Sequence, residues 1–149
     1  MISVEKGLEI AEDLCKRRGL RLTKHRREVF SCLLASDHPL KAYDIIDLLR
    51  TKGENLSPAT MYRTLDFLQE SGLIHKVSCI NAFMPCTCEH TDQSSMLFVC
   101  SSCQNVKEID DKPLYEMMRA RFLELGISAE NTAIEMQGLC LKCQQKMRQ

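Results

Sequence analysis

Apolar positions in the first half of the chain recur every three to four residues. Val4, Leu8, Ala11, Leu14 and Cys15 share one side of a helical repeat, which predicts an amphipathic helix over residues 3–18. Thr23 stands at an N-cap position ahead of Val29, Phe30, Leu33 and Leu34, and the second helix they define stops at Asp37, His38 and Pro39. A third begins near Lys41 and carries Ile45, Ile46, Leu48 and Leu49 until Gly53. The fourth has the sharpest ends. In SPATMYRTLDFLQESG, Ser57 takes the N-cap, Pro58 the first helical position and Gly72 the place just past the end. Met61, Leu65 and Leu68 form its inward stripe, while Ala59, Tyr62, Arg63 and Asp66 lie on another side.

After Gly72 the pattern shortens to apolar runs at 73–77 and 82–84 separated by SCIN, as in a β-hairpin. Three helices, a further helix with an exposed polar side and a hairpin read as a winged helix. Beyond it, strands ending at Cys100 (SSMLFVC), over 105–109 and over 132–136 accompany a helix over 113–125, with Leu114, Met117, Met118 and Phe122 expected to be buried. Those apolar residues either cover a second copy of the chain or fill a monomer core. The expected fold class is therefore α+β: an N-terminal winged helix-turn-helix domain over 1–80, then a small α/β domain over 81–149, which is a dimerisation domain if those residues cover a second copy.

Composition narrows this picture. The chain of 149 residues suits one or two small domains. Its longest uncharged stretch, residues 93–106, is too short to span a bilayer, and the acidic N-terminus lacks an unbroken apolar run, so a soluble cytoplasmic protein with no membrane role is expected. Nine cysteines, an odd number without a secretory signal, favour metal binding over a disulfide framework. A formal net charge of zero hides a segregation: Lys16, Arg17, Arg18, Arg21, Lys24, Arg26 and Arg27 fall within twelve residues that hold no acid, whereas the part after Cys79 has nine acids and seven bases. A basic face on a neutral protein fits nucleic acid, and a solvated helix end is its ordinary alternative.

Chemistry follows from these positions. CSSC at Cys100 and Cys103 and CLKC at Cys140 and Cys143 offer four thiolates, the shell a structural zinc prefers, and the thirty-six residues between them would be stapled end to end. On the fourth helix, Tyr62 and Arg63 are placed to meet bases and phosphates in a major groove, with Thr60 in the same first turns and Arg21, Lys24 and Arg26 in the basic segment as further contacts. The stretch HKVSCINAFMPCTCEH, residues 75–90, adds two histidines and three cysteines outside any C-x-x-C spacing. A thiol-disulfide protein using CSSC is the rival from another class, but strand-like QNVKEI follows Cys103 where such motifs open a helix. No H-E-x-x-H, G-x-S-x-G, phosphate-binding loop or dinucleotide fingerprint occurs, so no enzyme and no small-molecule substrate is expected.

RLTKHRREVF, SPATMYRTLDFL followed by GLIHKV, and the paired C-x-x-C motifs resemble the ferric uptake regulator family of metal-dependent repressors over nearly the whole chain. The C-x-x-C-x-x-V-K-E and GLC-x-x-C runs are most similar to its zinc uptake regulator branch. That resemblance implies a homodimer that binds a palindromic double-stranded operator and represses zinc-uptake genes. It also implies two zinc ions per chain, one structural and one regulatory near the domain junction. The family's DNA-contacting tyrosine and arginine fall on Tyr62 and Arg63, and its regulatory ligands on His75, Cys86, His90 and Glu108. In the branch the second histidine lies closer to the first structural cysteine, at the position Gln93 occupies here; a three-residue insertion reconciles the two, and otherwise Cys88, or more remotely Cys79, completes the shell. A thiolate among the ligands favours zinc over the iron- or peroxide-responsive alternatives within the family, as does the presence of only four histidines, two of which, His25 and His38, stand well before the ligand-rich stretch.

Overall fold

The computed structural model describes residues 3–86, 95–128 and 133–147. Contacts between Cα atoms divide the chain into two compact units, Met1–Thr87 and Cys88–Gln149. The boundary drawn from sequence, 80/81, falls inside the hairpin of the first unit.

The first unit contains α1 (Val4–Arg17), α2 (Lys24–Leu34), α3 (Ala42–Thr51), α4 (Pro58–Glu70), β1 (Ile74–Val77), a 3-10 turn (Ser78–Ile80) and β2 (Ala82–Pro85). Local chemistry sets most of the helix ends. Ser3 Oγ accepts from the Lys6 amide at 3.3 Å, and the Asp44 carboxylate accepts from the Lys41 amide at 3.0 Å. Thr23 occupies the N-cap of α2 as expected, yet its side chain makes no capping bond. At α4 the Ser57 hydroxyl accepts from the Thr60 amide at 3.2 Å and Pro58 opens the helix. Gly72, at φ +72°, closes it: the Gly72 amide reaches Gln69 O and the Leu73 amide reaches Leu68 O, both at 2.9 Å. This pair of bonds needs a left-handed residue, which glycine adopts without steric penalty, and it brings the buried Leu68 and Leu73 together.

Val29, Ile45, Met61, Leu65 and Leu68, each fully buried, place the core of this unit between α1, α2, α3 and α4. Leu48, grouped with the apolar positions of α3, is instead 41 % exposed, because the buried side of that helix is taken by Ala42, Ile45, Ile46 and Leu49. The wing pairs antiparallel, Ile74 with Pro85 through Val77 with Ala82, and Asn81 at φ +49° turns it. Leu40 bridges to Phe83 through two backbone bonds, fastening the α2–α3 connection to the wing.

The second unit holds β3 (Ser95–Cys100), β4 (Val106–Glu108), α5 (Lys112–Glu124), β5 (Ala133–Gly138) and α6 (Leu141–Met147). Its sheet has the order β4-β3-β5, with β3 antiparallel to β4 and parallel to β5. The parallel pair requires a crossover, and α5 supplies it. Asp111 Oδ1 accepts from the Leu114 amide at 3.0 Å and starts that helix. Met96, Leu97 and Val99 of β3 are buried, but no residue of α5 is. The expected burial of Leu114, Met117, Met118 and Phe122 is corrected accordingly: three are half-buried and Met117 is 66 % exposed. A three-stranded sheet in one chain leaves much of the apolar side of α5 uncovered, and only a further layer would bury it.

Candidate functional site

The four C-x-x-C cysteines converge although thirty-six residues separate the pairs. Cys100 ends β3 and Cys103 follows in the turn, while Cys140 lies just after β5 and Cys143 on α6. Parallel pairing of β3 with β5 sets Cys100 opposite Gly138, and the Ser101 amide donates to Gly138 O at 2.8 Å, which holds the two knuckles side by side. All four Sγ atoms lie within 4.8 Å of one another. The Cys103 and Cys140 sulfurs are 3.9 Å apart. That is too far for a disulfide and close to the edge of about 3.8 Å that a tetrahedron of zinc–thiolate bonds of about 2.3 Å would have.

Hydrogen bonding divides protons unequally within the cluster. The Cys140 amide donates to Cys100 Sγ at 3.4 Å. This bond, followed by those from the Cys103 and Ser102 backbones, pulls the Cys100 thiol down to about 6. For Cys143 the largest single effect, a hydrogen bond with Ser102, lowers the value, but contacts with Cys140, burial and contacts with Cys100 and Cys103 together push it up to about 11. Four thiolates crowded together repel one another, so full ionisation calls for a divalent cation, and the donor set fits zinc. Gln104 at φ +57° leads from Cys103 into β4, not into a helix, so the CSSC pair lacks the helix N-terminus that activates a redox thiol.

A second group of donors sits at the base of the wing. His75 lies on β1 opposite Met84, and Cys86 follows β2, its amide donating to Leu73 O at 2.9 Å. The imidazole and thiol donor atoms are within 4.8 Å of each other, and both residues are half-buried. Glu108 ends β4 in the second unit, opposite Leu97, and is also half-buried. His90, Cys88 and Gln93 lie outside the described residues. Cys79 is exposed in the 3-10 turn at the tip of the hairpin, away from the strand ends where Cys86 lies.

Helix α4 presents its polar side to solvent as expected. Tyr62 is 42 % exposed and Arg63 is exposed, and among the described residues no ion pair or hydrogen bond engages either side chain. Thr60 is half-buried, its hydroxyl 3.0 Å from Ser57 Oγ and its carbonyl accepting from Thr64 Oγ1 at 2.8 Å. Within the basic segment, Arg21 is exposed. The Lys24 ammonium lies 3.6 Å from Glu28 and pairs with Glu54, whose carboxyl it holds below the usual carboxylate range. Arg26 donates to Arg21 O at 2.6 Å and stacks on Phe67. Sequence reasoning missed one further group: His25, Glu28 and Glu54 bring donor atoms within 4.8 Å of one another, with Lys24 already among them. Glu54 stands too far from the other two in sequence to signal this, and the turn after α3 closes the gap.

Against proteins already known, the sequence profile described as the ferric uptake regulator family matches residues 17–137. The zinc uptake regulation protein of Escherichia coli K12 is 36 % identical over 134 residues, covering 89 % of this chain and 78 % of that protein. Among solved structures, a zinc uptake regulator complexed with zinc and DNA superposes with a TM-score of 0.90 at 33 % identity over the whole of both chains. The crystal structure of holo XcZur gives 0.82 at 34 % identity, covering 93 % of this chain and 96 % of that one.

Proposed function

The chain belongs to the ferric uptake regulator family, and from that premise we propose that it is a zinc-responsive transcriptional repressor whose zinc-loaded homodimer binds a palindromic operator and silences zinc-uptake genes. The observation that carries the choice of metal is the His75–Cys86 donor pair at the base of the wing. A thiol beside an imidazole selects zinc over the harder iron and manganese. The pair is also close in sequence to the reading helix, since only Gly72 and Leu73 separate the end cap of α4, Ser71, from β1.

Two zinc ions per chain are proposed. Cys100, Cys103, Cys140 and Cys143 would hold the structural one, a reading supported by their convergence within one unit. His75, Cys86, Glu108 and His90 would hold the regulatory one, with Cys88 the alternative to His90. These ligands come from both sides of the 87/88 boundary, so a metal joining them would fix the winged helix relative to the dimerisation unit. When bound, zinc supplies a four-coordinate link and no redox chemistry. In a dimer this would hold two reading helices at the spacing of successive major-groove half-sites, and a coupling of about 1–3 kcal/mol between zinc and DNA would follow. The uncovered apolar side of α5 supports dimerisation through a second copy.

Tyr62 and Arg63 would read bases, with Thr60 and Arg21 beside them. No catalytic residue and no small-molecule substrate is assigned, in keeping with relatives that are regulators. Among the described residues no helix is long and apolar enough to cross a membrane, and a repressor of this kind works in the cytoplasm. Elemental analysis of anaerobically purified protein tests the metal content: two zincs per chain should fall to one after a mild chelator. A single zinc that never leaves would refute the regulatory site.

A further inference from the structure

The seven cations of residues 16–27 are unequally employed. Arg17 pairs with Asp13 at 2.9 Å, Arg27 with Glu12, and Lys24 with Glu28 and Glu54. Two of the arginines do something different. Arg18 Nη1 donates to the carbonyl oxygen of Ser71, the C-cap residue of α4, at 3.1 Å. Arg26 Nη1 donates to Arg21 O at 2.6 Å, while its guanidinium carbon lies 3.3 Å from the centre of the Phe67 ring on α4. Arg26 is half-buried, whereas Lys16 and Arg21 are exposed, and among the described residues no ion pair or side-chain hydrogen bond engages those two.

We propose that Arg26 is a positioning residue that sets the basic loop against the reading helix, and that it is not itself a phosphate contact. The inference rests on the DNA-binding reading above. Its guanidinium has one face against an aromatic ring and one of its five N–H groups committed to a backbone carbonyl, so protein contacts fix its place and orientation. Phe67 lies one helical turn beyond Arg63, the base-reading residue, so a group fixed on Phe67 is referenced to Arg63 through rigid helix. The loop between α1 and α2 is thus tied to α4 near both ends. Arg18 holds it at the C-terminal carbonyl, where the helix dipole favours a cation, and Arg26 holds it at Phe67. Between those ties the Arg21 carbonyl is gripped and the Arg21 side chain is left facing solvent, in fixed register with Tyr62 and Arg63. Lysine cannot substitute at position 26, because an ammonium has neither the planar face that stacks on a ring nor the fork that serves two partners at once.

The test compares operator with unrelated duplex DNA, at saturating zinc and across a salt series, for wild type, R26K, R26Q, F67L and R21Q. R26K keeps the charge and should lose about tenfold more affinity for operator than for unrelated DNA, the size of effect typical of coupled neighbours, with the salt slope unchanged. F67L, which leaves the arginine intact, should show the same selective loss, and the R26K/F67L double variant should be no worse than either single one. R21Q should weaken both DNAs alike and flatten the slope by about 0.9, the signature of one lost phosphate contact. If R26K bound operator as the wild type does while R26Q flattened the slope by that amount, Arg26 would be a phosphate contact and the inference would fall. Additive R26K and F67L effects would overturn it equally. A wild type that bound no DNA at any zinc level would instead overturn the functional reading on which it rests.

Discussion

Leu65 and Arg63 stand two residues apart on α4 and face opposite surroundings, so their truncation should separate folding from reading. Leu65 is fully buried among the packed helices of the first unit. Replacing it by Ala removes three carbons, worth about 2.4 kcal/mol at ~0.8 kcal/mol per methylene. The cavity left under α4 raises the cost to about 3–5 kcal/mol, the usual span for such changes in a rigid core. With a urea dependence of about 2 kcal/mol per molar, the unfolding midpoint of the N-terminal unit should fall by roughly 2 M. Arg63 is exposed, and among the described residues no ion pair or hydrogen bond holds it, so Arg63→Ala should alter stability by no more than about 0.5 kcal/mol. Its loss should appear in DNA binding, as about 1–3 kcal/mol at one base pair, a factor of roughly 5 to 150. Urea titration followed by circular dichroism, and anisotropy titrations against an operator set carrying single base-pair changes, measure the two effects. A destabilised Arg63→Ala beside an unchanged Leu65→Ala would mean that α4 turns its other side to the core. Equal loss on every DNA sequence would make Arg63 a phosphate contact.

Three other outcomes follow from the same geometry. Cys103→Ala should lower zinc content by one ion per chain and reduce the thermal stability of the C-terminal unit; elemental analysis and calorimetry check this, and retention of that zinc would contradict the four-thiol assignment. Burial raises the Cys15 and Cys32 thiols above their ordinary value of 9.0, against the opposing pull of Arg26 on the first and Lys52 on the second. Because the folded state holds these protons more tightly, the stabilisation is present below pH 9 and is lost as pH rises through the raised values, so both thiols should resist iodoacetamide at pH 8 in native protein and react on unfolding. Mass spectrometry reads this, and native labelling as fast as that of exposed Cys79 would contradict it. Met117→Glu, on the uncovered side of α5, should leave the fold intact and shift the dimer toward monomer in sedimentation; an unchanged dimer would remove α5 from the interface.

Legibility varied with how local the determining chemistry was. The ends of α4 could be read because Ser57, Pro58 and Gly72 act within a few residues of themselves. Thr23 was legible as a position but not as an interaction, since the spacing of the helix says nothing about whether the hydroxyl reaches an amide. The apolar side of α5 was evident from its periodicity, yet periodicity does not say which molecule covers it. α6 is not legible because LKCQQKM is a single short stretch without an apolar stripe, anchored by Cys143. Strand positions in the second unit were close to those found, whereas the parallel pairing of β3 with β5 depends on the crossover and not on either strand. The four-cysteine cluster was legible from spacing alone, being two rigid knuckles that each carry their own geometry. Partners of the basic segment were hidden because Glu12, Asp13, Glu54 and Phe67 all lie outside it.

Operator binding at buffered free zinc, for wild type and Cys86→Ala in parallel, tests the central claim most directly. Wild-type affinity should rise about 5- to 150-fold as the second zinc site fills. Cys86→Ala should keep its structural zinc and lose that rise. Wild-type binding that is the same with and without exchangeable zinc, or a Cys86→Ala response equal to the wild type's, would contradict a zinc switch built on the wing.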